Sequence, residues 1–380
     1  MRGVRIIVLL PLLLLCPLNG TATAAVGLTA PGLQLLHLPG DGIVVDPNTH
    51  IPGLVATKTP RNELLVRPDL HPAARVAALK ADIESAHASR ARASVAVGVI
   101  LGLLGVLALF SRAPPLARAA VLYAPAAIAL GLAWRSALAI GFGALALALV
   151  AALSRRAFVP LLVLVFAGAL LVLWHWPVTN ALATIGPHPD GGHRFYGVTN
   201  QVETMLLAPA LAGAPLAAPL ALVAVGWSRA GADGGGLITY ASGYAMLALR
   251  AYGSLTPRRV LLAAAIVVGI GIALVAADAA TGGSSHVTHA LGGGIFGDLA
   301  HRWRVSYDGP TRSVGAFVMF ASGIALLVAV ARARPRPPLV DAMLVALVVS
   351  FIVNDTPQDV ALWGALGAIA LLAFERSRVG

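Results

Sequence analysis

Residues 155–174 read Arg-Arg-Ala-Phe-Val-Pro-Leu-Leu-Val-Leu-Val-Phe-Ala-Gly-Ala-Leu-Leu-Val-Leu-Trp, an arginine pair followed by eighteen residues without a charge. At about 1.5 Å per residue a helix of that length spans about 27 Å, close to the hydrocarbon thickness of a bilayer. The arginines mark where such a span meets water on the side that retains positive charge.

The pattern repeats outward from there. Apolar segments occupy 94–111, 116–134 and 136–153 before it, and 204–226, 236–251, 259–277, 314–331, 338–353 and 359–374 after it. The fold predicted is all-α, a polytopic bundle of transmembrane helices with about 9–11 crossings after an N-terminal signal sequence. Mean hydropathy is +0.84 and only 11% of the 380 residues are charged. Soluble proteins carry roughly 25% charged residues, so lipid must cover much of this surface. The net charge of +11 comes mainly from arginines in short runs between apolar segments. That placement reads as membrane topology and argues against a nucleic-acid partner.

Residues 1–24 carry the marks of a signal peptide: Arg2 and Arg5, an apolar run, then Ala22-Thr23-Ala24. Cys16, the single cysteine, falls inside it. Residues 25–91 form a short extracytoplasmic segment, turn-rich in its first half and helical from His71 to Arg92. Val76, Leu79 and Ile83 stand there at helical spacing. The helical domain covers 92–376.

Charge placement orders the crossings. Arg112, Arg118, Arg155, Arg156, Arg250, Arg258, Arg259, Arg332, Arg334, Arg336, Arg376 and Arg378 share one side, against Arg135, Arg194, Arg229, Arg302, Arg304 and Arg312 on the other. This split requires an odd number of crossings between 204 and 258. Pro209, Pro215 and Pro219 interrupt the apolar run 204–226, which fits a hairpin that dips in and returns. A full span there with a re-entrant 236–251 keeps the same ends and moves Asp233 to the cytoplasmic side.

With the hairpin, four polar, glycine-rich motifs share the extracytoplasmic face: His193 through Asn200 with Glu203, Gly231 through Gly236 around Asp233, Ser284 through Gly294 with Asp298 and His301-Arg302, and Asn354-Asp355-Thr356. Ionisable groups at a membrane edge persist mainly where they face a cavity or a partner. The competing readings are close helix packing by glycine and ordinary wet loops. His286, His289, Asp298 and His301 offer ligands for a divalent metal, of the type that activates water, although their spacing matches no strong zinc signature. Arg194 and Arg302 suit a phosphate, and Asp233, His286 and Asp355 are the candidate catalytic groups. Arg194, Tyr196, Asn200, Glu203, Asn354 and Arg302 are the candidate substrate-binding residues.

The succession Arg194-Phe195-Tyr196-Gly197-x-x-Asn200, Gly231-Ala232-Asp233-x-Gly235-Gly236, a histidine-bearing glycine loop and Asn354-Asp355 resembles an uncharacterised family of bacterial multi-spanning membrane proteins. In some of these the membrane half follows an extracytoplasmic domain similar to alkaline phosphatases. The resemblance covers about 94–374. It implies topology and site location, and brings no established activity. Residues 25–91 are too short for the phosphatase-like domain, and 204–226 is compressed where two full spans are expected.

Three functions fit this reading: an envelope enzyme acting on a phosphate-containing lipid or glycan precursor, a transporter or flippase of a small anion or lipid-linked substrate, and a non-catalytic envelope assembly factor. The bilayer is a partner in each. Aromatic residues near segment ends, such as Trp174 and Trp227, read as interface anchors.

Overall fold

Leu, Val and Ala fill the apolar segments and no lipid-exposed backbone group can go unpaired, so each segment closes its hydrogen bonds within a helix. The computed structural model describes residues 16–17, 24–27, 33–37, 41–47, 49, 51–56, 59–187, 197–253, 255–280 and 306–379. The chain divides into two units, one of Met1–Ser85 with His188–Phe195 and one holding the rest.

The first unit carries a sheet of β1 (Cys16–Pro17), β2 (Ala24–Gly27), β3 (Leu33–His37), β4 (Gly42–Val45), β5 (Leu54–Ala56) and β6 (Leu65–Pro68). Its order is β1-β6-β4-β3-β2, with β5 also on β3, and all pairs are antiparallel. Only turns and one helix are expected here from the sequence, so the sheet is a departure. Its strands are two to five residues long and sit between Gly, Pro and Asp turns, too short to show a period. Leu35, Val44 and Leu54 are fully buried, and Asp46 ties the β4–β5 connection by accepting from the Ala56 amide and the Thr59 hydroxyl, both at 2.8 Å. Cys16 pairs with Val66 and Ala24 with His37, so part of the expected leader lies in the sheet. Cleavage after Ala24 would remove β1 and leave β2 from Ala25 onward.

Helix α1 (Pro72–Ser111) begins in this unit and ends in the other. Val76, Leu79 and Ile83 are buried as their spacing predicts, with Val76 reaching Gly53.

The second unit continues with α2 (Pro114–Gly131), α3 (Ala137–Ala152), α4 (Phe158–His175), a short α5 (Pro177–Ala181), α6 (Asn200–Ala212), α7 (Ala218–Gly226), α8 (Gly234–Ala251), α9 (Pro257–Ala280), α10 (Val314–Arg332), α11 (Pro338–Val353) and α12 (Pro357–Val379). Apart from the broken stretch 204–226, each expected apolar segment is one helix, matched to within a few residues at most ends. Six described helices (α1, α2, α4, α9, α10 and α12) are long and apolar enough to cross a membrane, and α3 and α11 are shorter apolar helices. The protein is a multi-pass membrane protein with an all-α bundle.

α12 is the central post. Val360, Trp363, Ala365, Ala368 and Leu371 are buried among α1, α2, α6, α10 and α11. Gly323 of α10 lies on the α12 backbone at Ala361, where any Cβ would collide. α9 and α10 turn Leu261, Val268, Ile272, Phe317 and Val318 outward, a surface that only lipid tails cover comfortably.

Cross-helix contacts fix the two ends of the bundle. Arg118 at the start of α2 donates to the carbonyl of Ala152 at the end of α3 (2.8 Å), Phe158 stacks on Phe374, and Asp341 at the start of α11 holds Arg250 from the end of α8. The twelve arginines assigned to one side therefore gather at one end. Gly197, Glu203, Asp233, Asn354 and Thr184 lie at the other.

The stretch 204–226 is a hairpin. α6 and α7 have 13 and 9 residues, too few to cross, and a turn at 213–217 with a cis Ala214–Pro215 bond joins them. The chain leaves where it arrived: Val198 donates to Gly231 (2.9 Å), and Gly236 packs on both Val225 of α7 and Glu203 of α6. The hairpin and not the full span is the arrangement adopted.

Candidate functional site

The described residues of three of the four motifs, 197–203, 231–236 and 354–356, meet at the end of the bundle opposite the arginines. Thr199 caps α6, its hydroxyl accepting from the Val202 amide at 3.3 Å, which sets Asn200 and Glu203 in the first turn. Asp233 caps α8 in the same way, accepting from Gly236 at 3.1 Å. Asn354 terminates α11, and Thr356 immediately precedes α12.

The glycines are there for close approach. A Cβ at Gly235 would collide with the Asn354 amide oxygen, and one at Gly236 would lie 2.7 Å from Val225 and 3.1 Å from the Glu203 carboxyl carbon. Gly197 sits at φ +84° against the Gly231 carbonyl, so both conformation and space demand glycine. Asn180 donates to the Gly197 carbonyl at 2.8 Å and anchors that turn to α5.

The polar groups form two layers. In the inner one, Glu203 is 0% exposed; its Oε2 accepts from Asn354 Nδ2 at 2.8 Å, and the same amide nitrogen reaches the Ser350 hydroxyl at 2.7 Å. Tyr240 donates its hydroxyl to the Glu203 backbone carbonyl at 2.8 Å. Asp233 is 4% exposed. In the outer layer, Asn200 Nδ2 donates to Asp355 at 2.6 Å and to Thr356 at 3.1 Å, and Asp355 is exposed. The inner layer is a buried hydrogen-bonded frame, while the outer one holds an exposed carboxylate.

Thus Asn200, Glu203, Asp233, Asn354 and Asp355, more than 150 positions apart at the extremes, share one cluster. Arg194, Tyr196, His286, His289, Asp298, His301 and Arg302 lie outside the described residues. So do both the metal reading and the cationic half of the phosphate reading. No group of three or more metal-ligating side chains occurs among the described residues. At the mouths of α6 and α8, Thr199 and Asp233 occupy the Val202 and Gly236 amides, so those two donors are not open to an anion.

Ser350, Tyr240 and Thr356 were not singled out as site residues. Ser350 stands one helical turn before Asn354 and Tyr240 one turn after Gly236, so a search at i±4 from each motif finds both. No family model matches the chain, and neither a curated protein nor a solved structure matches it.

Proposed function

We propose that this chain is an integral membrane enzyme of the bacterial cell envelope, acting at the extracytoplasmic face on a phosphate-containing lipid or glycan precursor. The observation that carries this reading is the exposed Asp355 carboxylate held by Asn200 at 2.6 Å above a buried frame drawn from three distant segments. Positive charge is retained in the cytoplasm, so the arginine end belongs there and the site outside. A leader ending at Ala24, as the sequence suggests, would give the same orientation.

Asp355 is placed to take a proton from a substrate hydroxyl, the usual work of a positioned carboxylate. Asn200 and Thr356 orient it. Glu203, Asn354, Ser350 and Tyr240 hold the α6, α8 and α11 ends together beneath. Asp233 contributes as the cap of α8. Arg194 and Arg302 are the phosphate-binding candidates.

A second reading, a transporter, is favoured by the hairpin itself. Paired short helices that turn back at mid-depth, with a buried carboxylate at their mouth, are a device of substrate and ion sites in transporters. Purified protein in liposomes with an envelope lipid extract separates the two. Turnover by the wild type, lost in Asp355→Asn with the fold intact, supports the enzyme. Movement of a lipid or anion across the vesicle wall without chemical change supports the transporter and defeats the enzyme reading.

A further inference from the structure

We propose that the arginine end of the bundle holds a binding site for the phosphate of an anionic phospholipid, between the α3–α4 loop and the end of α12. Arg155 and Arg156 are exposed in that loop, two residues ahead of Phe158. Phe158 stacks on Phe374 of α12 at 5.0 Å, and Arg378 lies over the other ring at 5.6 Å. The stack therefore fastens one arginine group to another. Arg118, half-buried, is held at the same end by a bond to Ala152 that uses one of its five N–H groups.

Gathering these cations costs energy that the acids among the described residues offset only in part. Among the described residues the acids at this end are Asp341 and Glu375. Asp341 is bound by Arg250 at 3.2 Å and Arg336 at 2.9 Å, and Glu375 by Arg378 at 3.2 Å. Arg118, Arg155 and Arg156 have no acidic partner among the described residues. An anion between them removes the repulsion. The two lysines of the chain, Lys58 and Lys80, are both in the other unit, so the residues here are the ones whose planar fork matches a phosphate.

The anion is a lipid, because the approach is apolar. Val150 on the last turn of α3 is 68% exposed and Leu153, just past its end, 73%, which carries an apolar surface up to the arginine pair. Acyl chains lying along α3 would bring a headgroup to the loop, and each basic residue near an anionic surface adds to the attraction.

The test is thermal unfolding of the full chain in neutral detergent, with phosphatidylglycerol, phosphatidylcholine or inorganic phosphate added. Phosphatidylglycerol is expected to raise the Tm by several degrees where the other two do not. R155Q/R156Q should lose most of that increment, and R258Q/R259Q, which removes the same charge elsewhere on this end, should keep it. Equal loss in both pairs would show diffuse surface charge, and an equal rise with phosphate alone would show a free-anion site; either overturns the proposal. Native mass spectrometry of the unaltered protein decides the matter if the first pair does not fold. Preferential retention of phosphatidylglycerol supports the site, and equal retention of both lipids overturns it.

Discussion

The two ends of the helical unit are built from the same helices and use polar residues in opposite ways. At the arginine end, guanidinium groups mostly point into water and answer to the membrane, with one acid, Asp341, clasping α8 and the loop before α11. At the other end, amides and carboxylates from α6, α8 and α11 bond mainly to each other. A polar residue that answers only to solvent can move or be replaced. One whose partner lies 151 positions away constrains three helices at once. That difference is why the acidic end is read as the reacting site and the arginine end as an orienting surface whose cations face lipid headgroups.

The comparison predicts a graded series of losses. The largest belongs to Gly197→Ala, which adds strain at φ +84° and a collision with the Gly231 carbonyl. We expect a cost of about 3 kcal/mol or more, seen as loss of monodisperse protein after extraction. Next is Asn354→Ala, which strips a donor from the wholly buried Glu203 at a cost of about 2–3 kcal/mol. Thermal unfolding measures it, and a cost below that of any arginine-end substitution would break the contrast between the ends. Asp341→Ala should cost about 1–2 kcal/mol, less than a fully buried pair because both arginine partners are 33% exposed. Asp355→Asn should leave stability within about 0.5 kcal/mol while abolishing function, since its side chain is exposed and its amide replacement fits the same space.

The bundle was legible because lipid imposes a length on every apolar segment. The run 157–174 became Phe158–His175, and 338–353 matched its helix at both ends. The hairpin was legible through two independent signals, the prolines and the charge parity of its flanks. The sheet was not, because strands such as Leu54–Ala56 are too short to show an alternation. In the site, the motif residues showed themselves by being polar at segment ends. Ser350 and Tyr240 did not, since a lone hydroxyl inside an apolar helix is commonplace until its partner is known. The Asp341–Arg250–Arg336 cluster was hidden for a related reason, each member reading as an ordinary end charge.

The most direct test is cysteine accessibility in intact cells, in a background where Cys16 is replaced by Ala. Single cysteines at Ala232 and Thr356, and one at Ser154 among the arginines, are treated with a membrane-impermeant thiol reagent before and after lysis. Labelling of Ala232 and Thr356 in intact cells, with Ser154 reacting only after lysis, is the expected result and places the motif cluster on the outer face. Protection of Ala232 until lysis while Thr356 is labelled would put the two motifs on opposite sides of the membrane. The hairpin and the single shared site would both be contradicted.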